Sequence, residues 1–80
     1  MNPRVKKVTP LEDYKIEPTF TNSEVKIFDV APYLNFGVFQ ELRDKSLFNA
    51  VEAWEGTVRW SHDQDFCPDT LYEESLPKKF

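Results

Sequence analysis

Eighty residues make one small domain, and 40% hydrophobic with 15% aromatic content supplies a thin core rather than a disordered chain. A formal charge of −4 argues against direct nucleic-acid binding, which draws on a basic face. One cysteine excludes an internal disulfide, and the start MNPRVKKV has no apolar run for a signal peptide or a membrane span, so a soluble, cytoplasmic protein is expected.

Residues 5–9 predict a short basic strand carrying Lys6 and Lys7, interrupted by Pro10. Leu11, Glu12 and Asp13 then form a connection. Tyr14, Ile16, Pro18 and Phe20 alternate with Lys15, Glu17, Thr19 and Thr21, a period of two that marks a strand with one face on a core. Pro18 has no N–H for a ladder, so that strand is expected at a sheet edge or bulged there. Thr21, Asn22, Ser23 and Glu24 read as a hairpin turn. Val25 and Ile27 continue the inward pattern, and Phe28 and Val30 shift it by one position, which predicts a bulge or a strand buried on both faces.

Ala31 and Pro32 stop this strand, and Pro32, Tyr33 and Leu34 predict a single helical turn. Val38, Phe39 and Leu42 share one helix face, giving a short helix of about two turns that Asp44, Lys45 and Ser46 break. Leu47 and Phe48 anchor the next segment. Residues 50–54 predict a fourth strand with Val51 in the core. Glu55 and Gly56 read as a tight turn, and residues 57–60 as a fifth strand with Val58 and Trp60 on one face.

A last helix is expected to start at Cys67, Pro68 and Asp69. Proline suits the first helical position, and Asp69 places negative charge where the dipole favours it. Phe66 and Leu71 hold the positions of a hydrophobic staple. Leu71 and Tyr72 would face the sheet, Glu73 and Glu74 would be solvated, and Pro77 would end the helix near Ser75, leaving residues 76–80 as a frayed tail. The expectation is a single α+β domain over residues 1–80. Its mainly antiparallel sheet has roughly five strands in the order β-β-β-α-β-β-α, with two short helices.

His62, Asp63, Asp65 and Cys67 are all possible metal ligands, and His with Cys would suit zinc. Closed zinc sites use paired ligands at fixed spacings, and no second pair exists in the chain. His62 is therefore read as a loop histidine and Cys67 as a packed structural thiol, with no metal, no cofactor and no catalytic residue expected. Asp63, Asp65, Asp69, Glu73 and Glu74 concentrate negative charge at the start and exposed side of the last helix. Such a patch steers a basic protein surface toward it, so a protein partner rich in Lys and Arg is expected, with no membrane contact. The same features are compatible with a homo-oligomer.

The segments VKKVTPLEDYKIEPTFTNSEV, FDVAPYL, FGVFQEL, LF and W…DFCPDTLYEE together resemble a bacterial family, the domain of unknown function numbered twenty-four forty-two. Asp65, Pro68, Asp69, Leu71 and Tyr72 are the most specific part of the resemblance. It implies a small α+β domain and no established catalytic residue. It also implies that members stand alone or precede a repressor-like helix-turn-helix domain, which is missing from these residues. Some members are encoded beside another small protein, in pairs resembling toxin–antitoxin modules. The chain departs from the family in two places: Ser61, His62, Asp63 and Gln64 replace a Pro-Asn-Gly-like turn, and Pro18 is unusual inside its strand. Residues and resemblance together predict a non-catalytic protein-interaction module, the neutralising or regulatory member of such a pair. The alternative is a small-ligand- or metal-binding domain using the bend over residues 62–67.

Overall fold

Alternating side chains build the main sheet. The computed structural model describes residues 3–61 and 64–77, and within them the strands β1 (Val5–Pro10), β2 (Lys15–Phe20) and β3 (Lys26–Asp29) form an antiparallel meander. Ile16, Pro18 and Phe20 are fully buried, as the period of two requires. A short strand β6 (Leu76–Pro77) completes the sheet in the order β1-β2-β3-β6. Strands β4 (Glu52–Trp54) and β5 (Thr57–Arg59) form a separate two-stranded hairpin beside β1, linked to it where the Val5 N–H donates to the Gly56 carbonyl at 2.9 Å. The α+β class with antiparallel pairing is as expected, divided between two sheets.

Four local expectations are corrected. First, β2 lies inside the sheet, not at its edge, with β1 and β3 on either side. The missing N–H of Pro18 faces β3, because the Phe20 N–H two residues on bonds the Glu24 carbonyl on that side. The β2–β3 ladder skips this point: residues pair at Lys15 with Asp29, Ile16 with Phe28, and again only at Thr19 with Val25. The register slip falls instead in β1, between Val5 and Lys7.

Second, the short helix expected around Val38 to Leu42 is present as Gly37–Arg43 but is of 3-10 type, which takes Val38 off the buried face, while the single turn expected at Pro32 stands as a 3-10 turn over Ala31–Tyr33. Third, residues near Asp44 start a helical turn instead of only ending one: α1 (Lys45–Phe48) is capped by the Asp44 carboxylate, which accepts from the Ser46 N–H at 2.9 Å. Fourth, Leu76 and Pro77, placed by sequence in a frayed tail, pair with Ile27 and Lys26 of β3. Residues 78–80 lie outside the described residues.

The helix α2 (Pro68–Glu74) packs on this frame through Leu71, and its Cys67 N-cap and Pro68 start stand where the sequence puts them. On β3 the core face is that of Phe28 and Val30, while Val25 and Ile27 are half-buried. Aromatic rings fill much of the core. Phe28, Tyr33, Phe39 and Phe66 form one cluster, with centroids 4.9 Å apart for Phe28–Phe66 and 5.0 Å for Tyr33–Phe66. Each well-placed pair adds about 0.5–1.5 kcal/mol beyond its buried area. Trp60 is fully buried and donates its indole N–H to the Phe48 carbonyl at 2.8 Å, tying β5 to α1. No helix among the described residues is long and apolar enough to cross a membrane.

Candidate interaction surface

The acidic surface is positioned by the residues that start α2. Phe66 and Leu71 are both buried in the core, which holds the entry to the helix as a staple would. Thr57 Oγ1 donates to the Phe66 carbonyl at 2.5 Å, so the end of the bend is also pinned to β5. Cys67 caps the helix without a side-chain hydrogen bond, and its thiol is exposed. That corrects the packed thiol expected from sequence: Phe66 takes the buried place and Cys67, next in an extended backbone, points outward.

A polar clamp fastens the other side of α2. Lys26 Nζ donates to the Tyr72 carbonyl at 2.9 Å and sits 3.7 Å from the centroid of the Tyr72 ring. The Tyr72 hydroxyl donates to Glu24 Oε1 at 2.6 Å, and Asn22 Nδ2 donates to the same oxygen. The Tyr72 and Asn22 hydrogen bonds, helped by the Lys26 charge, hold the Glu24 carboxyl below its ordinary range. The Glu24 bond, with burial and the Glu24 charge, pushes the Tyr72 phenol above its own. The Tyr72 ring meets Phe20 edge-on at 5.0 Å. No period or motif in the sequence joins residues 22–26 to residue 72, so this clamp is visible only in three dimensions.

Four of the five acidic residues singled out by sequence are described, and Asp65, Asp69, Glu73 and Glu74 are all exposed. Asp63 and His62 lie outside the described residues. Asp65 pairs by backbone with Arg59, and Asp69 and Glu73, four apart on α2, share one face. Glu74 turns toward the body, where its carboxylate accepts from the Tyr33 hydroxyl at 3.3 Å. Burial, followed by the Glu74 charge and that bond, raises the Tyr33 phenol. Among the described residues no three His, Cys, Asp or Glu side chains converge as a metal site would require.

Two further features were not legible as such. Val38, expected on the buried face of a helix, is exposed together with Phe36, the two flanking Gly37. The 3-10 path turns Phe39 and Leu42 inward and leaves Val38 in solvent. Beside them Gln64 is buried, donating to the Val38 carbonyl at 2.9 Å and to Glu41 Oε2 at 3.1 Å, while its Oε1 meets no partner among the described residues. Elsewhere, a depression of about 410 Å³ lies at the β1–β2 turn, lined by Leu11, Glu12, Asp13, Lys45 and Asn49. Asp13 and Tyr14 there both have positive φ, 59° and 58°, an arrangement that L side chains rarely adopt. Tyr14 is held in it by donating to the Arg43 carbonyl at 2.5 Å and by an edge contact with Phe48.

Exposed carboxylates thus lie on α2 and its entry, and exposed Phe36 and Val38 lie at the start of the 3-10 helix. No curated protein and no solved structure matches the chain. One family model does, over residues 5–77, and it covers both sheets, α2 and the whole candidate surface. The chain belongs to the family described as "Protein of unknown function (DUF2442)".

Proposed function

We propose that this protein is a non-catalytic interaction module acting in the cytoplasm, the neutralising or regulatory member of a pair of small bacterial proteins. Its partner presents a Lys/Arg-rich surface to α2. One observation carries the reading: Asp65, Asp69, Glu73 and Glu74 are all exposed along one short helix and its entry, on a chain of net charge −4. Asp69 lies within the helix-start field, but Glu73 and Glu74 stand at the far end of α2, where the dipole favours cations. The helix dipole opposes their charge at this end, and attraction to a basic partner is consistent with it, beside the Tyr33 hydrogen bond that Glu74 accepts. An exposed Cys67 thiol suits a reducing compartment.

Affinity capture from the source organism tests this. Tagged wild-type protein should recover a small basic protein at low salt, and a Glu73→Lys/Glu74→Lys variant should recover far less of it. Recovery of the same proteins by both, or of none by either, would overturn the reading.

A further inference from the structure

We propose that the depression between the β1–β2 turn and α1 binds a small zwitterion with an apolar side group, of the size of a free amino acid. None of its lining residues belongs to α2, so the site does not rest on the interaction-module reading.

Its volume of about 410 Å³ falls in the lower part of the roughly 300–1,000 Å³ typical of small-molecule sites. One wall is the turn from β1 to β2, closed where the Leu11 N–H donates to the Lys15 carbonyl at 2.8 Å and the Lys15 N–H to the Glu12 carbonyl at 3.4 Å. The other wall is α1 with its C-cap, where Lys45 and Asn49 stand four residues apart. Tyr14 ties the walls together. Its hydroxyl donates to the Arg43 carbonyl just before α1, its ring meets Phe48 of α1 edge-on at 5.3 Å, and its carbonyl accepts from the Val30 N–H at 2.9 Å. Asp13 and Tyr14 hold the two positive φ values of a two-residue hairpin turn, for which Asn-Gly or Asp-Gly is the favoured pair. A glycine at residue 14 would close the turn without steric cost but could not tie it to α1, and strained residues of this kind gather at ligand sites.

The charges of the lining are of both signs and come from different walls, Glu12 and Asp13 from the turn and Lys45 from α1, all exposed. Among the described residues no ion pair joins Lys45 to either carboxylate, although all three border one depression. An anion drawn to Lys45 alone would also meet the two carboxylates, and a cation drawn to the carboxylates would also meet Lys45. A ligand carrying both charges is attracted by each wall: its carboxylate by Lys45 and the Asn49 amide, its ammonium by Glu12 and Asp13. Half-buried Pro10, Leu11 and Tyr14 supply the apolar part of the lining, against which a side group would lie.

The test titrates three compounds into the intact protein: leucine, 3-methylbutylamine, which lacks the carboxylate, and 4-methylpentanoate, which lacks the amine. Leucine should bind with millimolar affinity and shift the amides of residues 11–14 and 45–49, and each analogue should bind about tenfold more weakly. Lys45→Gln should weaken leucine by about that factor without weakening 3-methylbutylamine. Glu12→Gln/Asp13→Asn should do the same to leucine without weakening 4-methylpentanoate. All three side chains are exposed, so both variants should keep the wild-type melting temperature. No amide shift with leucine at tens of millimolar, or shifts that lie away from these residues, would overturn the site. Leucine binding no tighter than either analogue, or unchanged in the variants, would overturn the zwitterion as its ligand.

Discussion

Trp60 joins three parts of the fold through one side chain: its ring meets Phe48 at 6.0 Å and Phe66 at 5.9 Å, and its N–H satisfies the Phe48 carbonyl. Removing a buried tryptophan to alanine costs about 3–5 kcal/mol, against roughly 4–12 kcal/mol of total stability for a chain of this size. Trp60→Ala should be mostly unfolded in a thermal melt, and a midpoint within a few degrees of wild type would contradict that. Trp60→Phe keeps much of the packing and strands only the carbonyl, so it should lose roughly 1–3 kcal/mol. The Tyr72–Glu24 bond makes a different forecast, in pH. Glu24 has its carboxyl lowered by folding, so it contributes stability above the ordinary carboxylate range, and that contribution is lost as pH falls through the folded value. Tyr72 has its phenol raised, so its contribution is full below the ordinary tyrosine range and is lost as pH rises above it. Tyr72→Phe should flatten the stability profile at both ends, as read by urea midpoints across pH. A variant profile parallel to wild type would place the Glu24 and Tyr72 shifts elsewhere.

Glu55 and Gly56 join β4 to β5 with φ of 47° and 84°, the pair of positive values that a tight two-residue hairpin requires. A Cβ on Gly56 would lie 2.6 Å from Cδ of Arg4, so Gly56→Ala must both strain the backbone and move Arg4 off the turn. Gly37→Ala meets only the first difficulty. Urea unfolding should therefore show Gly56→Ala losing about 1–2 kcal/mol, and Gly37→Ala less. An equal loss would show that Arg4 yields freely. This hairpin was legible because Glu-Gly stands between two strand-like runs. Strand β2 was legible for the same kind of reason, its period of two, and α2 through Pro68, Asp69 and the pair Phe66 and Leu71. The place of β2 in the sheet was not, because Pro18 states only that one hydrogen bond is missing. It says nothing of whether a neighbour tolerates the gap, and β3 does. The 3-10 path of Gly37–Arg43 was hidden because Val38, Phe39 and Leu42 fit an α-helical face equally well; only packing against Phe66 decides which of them turns in. The pairing of Leu76 and Pro77 with β3 depends on contacts some fifty residues apart in sequence, which no local pattern carries.

At the scale of the molecule, a −4 chain presents Asp69, Glu73 and Glu74 on one helix, next to Asp65 at its entry, and that helix is fastened to the sheet by Lys26, Tyr72 and Leu71. Asp65, Asp69, Glu73 and Glu74 were legible as a cluster because they are close in sequence and a helix start explains only part of their charge. The exposure of Phe36 and Val38 was not, since it follows from the turn at Gly37. Charge presented in this way acts mainly on encounter, raising association rates over distances set by the Debye length. That length falls from roughly 30 Å at about 0.01 M salt to about 8 Å at about 0.15 M. Glu73 and Glu74 are both exposed, and the Tyr33 hydrogen bond to Glu74 at 3.3 Å on the surface is worth about 0–1 kcal/mol, so Glu73→Lys/Glu74→Lys should keep the fold, as a thermal melt would check. The most direct measurement is the association rate of the captured basic partner, followed by stopped flow as salt is raised. Association should slow several-fold while dissociation changes little, and the double lysine variant should associate slowly even at low salt. A rate that is independent of salt, or one that the variant leaves unchanged, would contradict the assignment of α2 as the face that meets the partner.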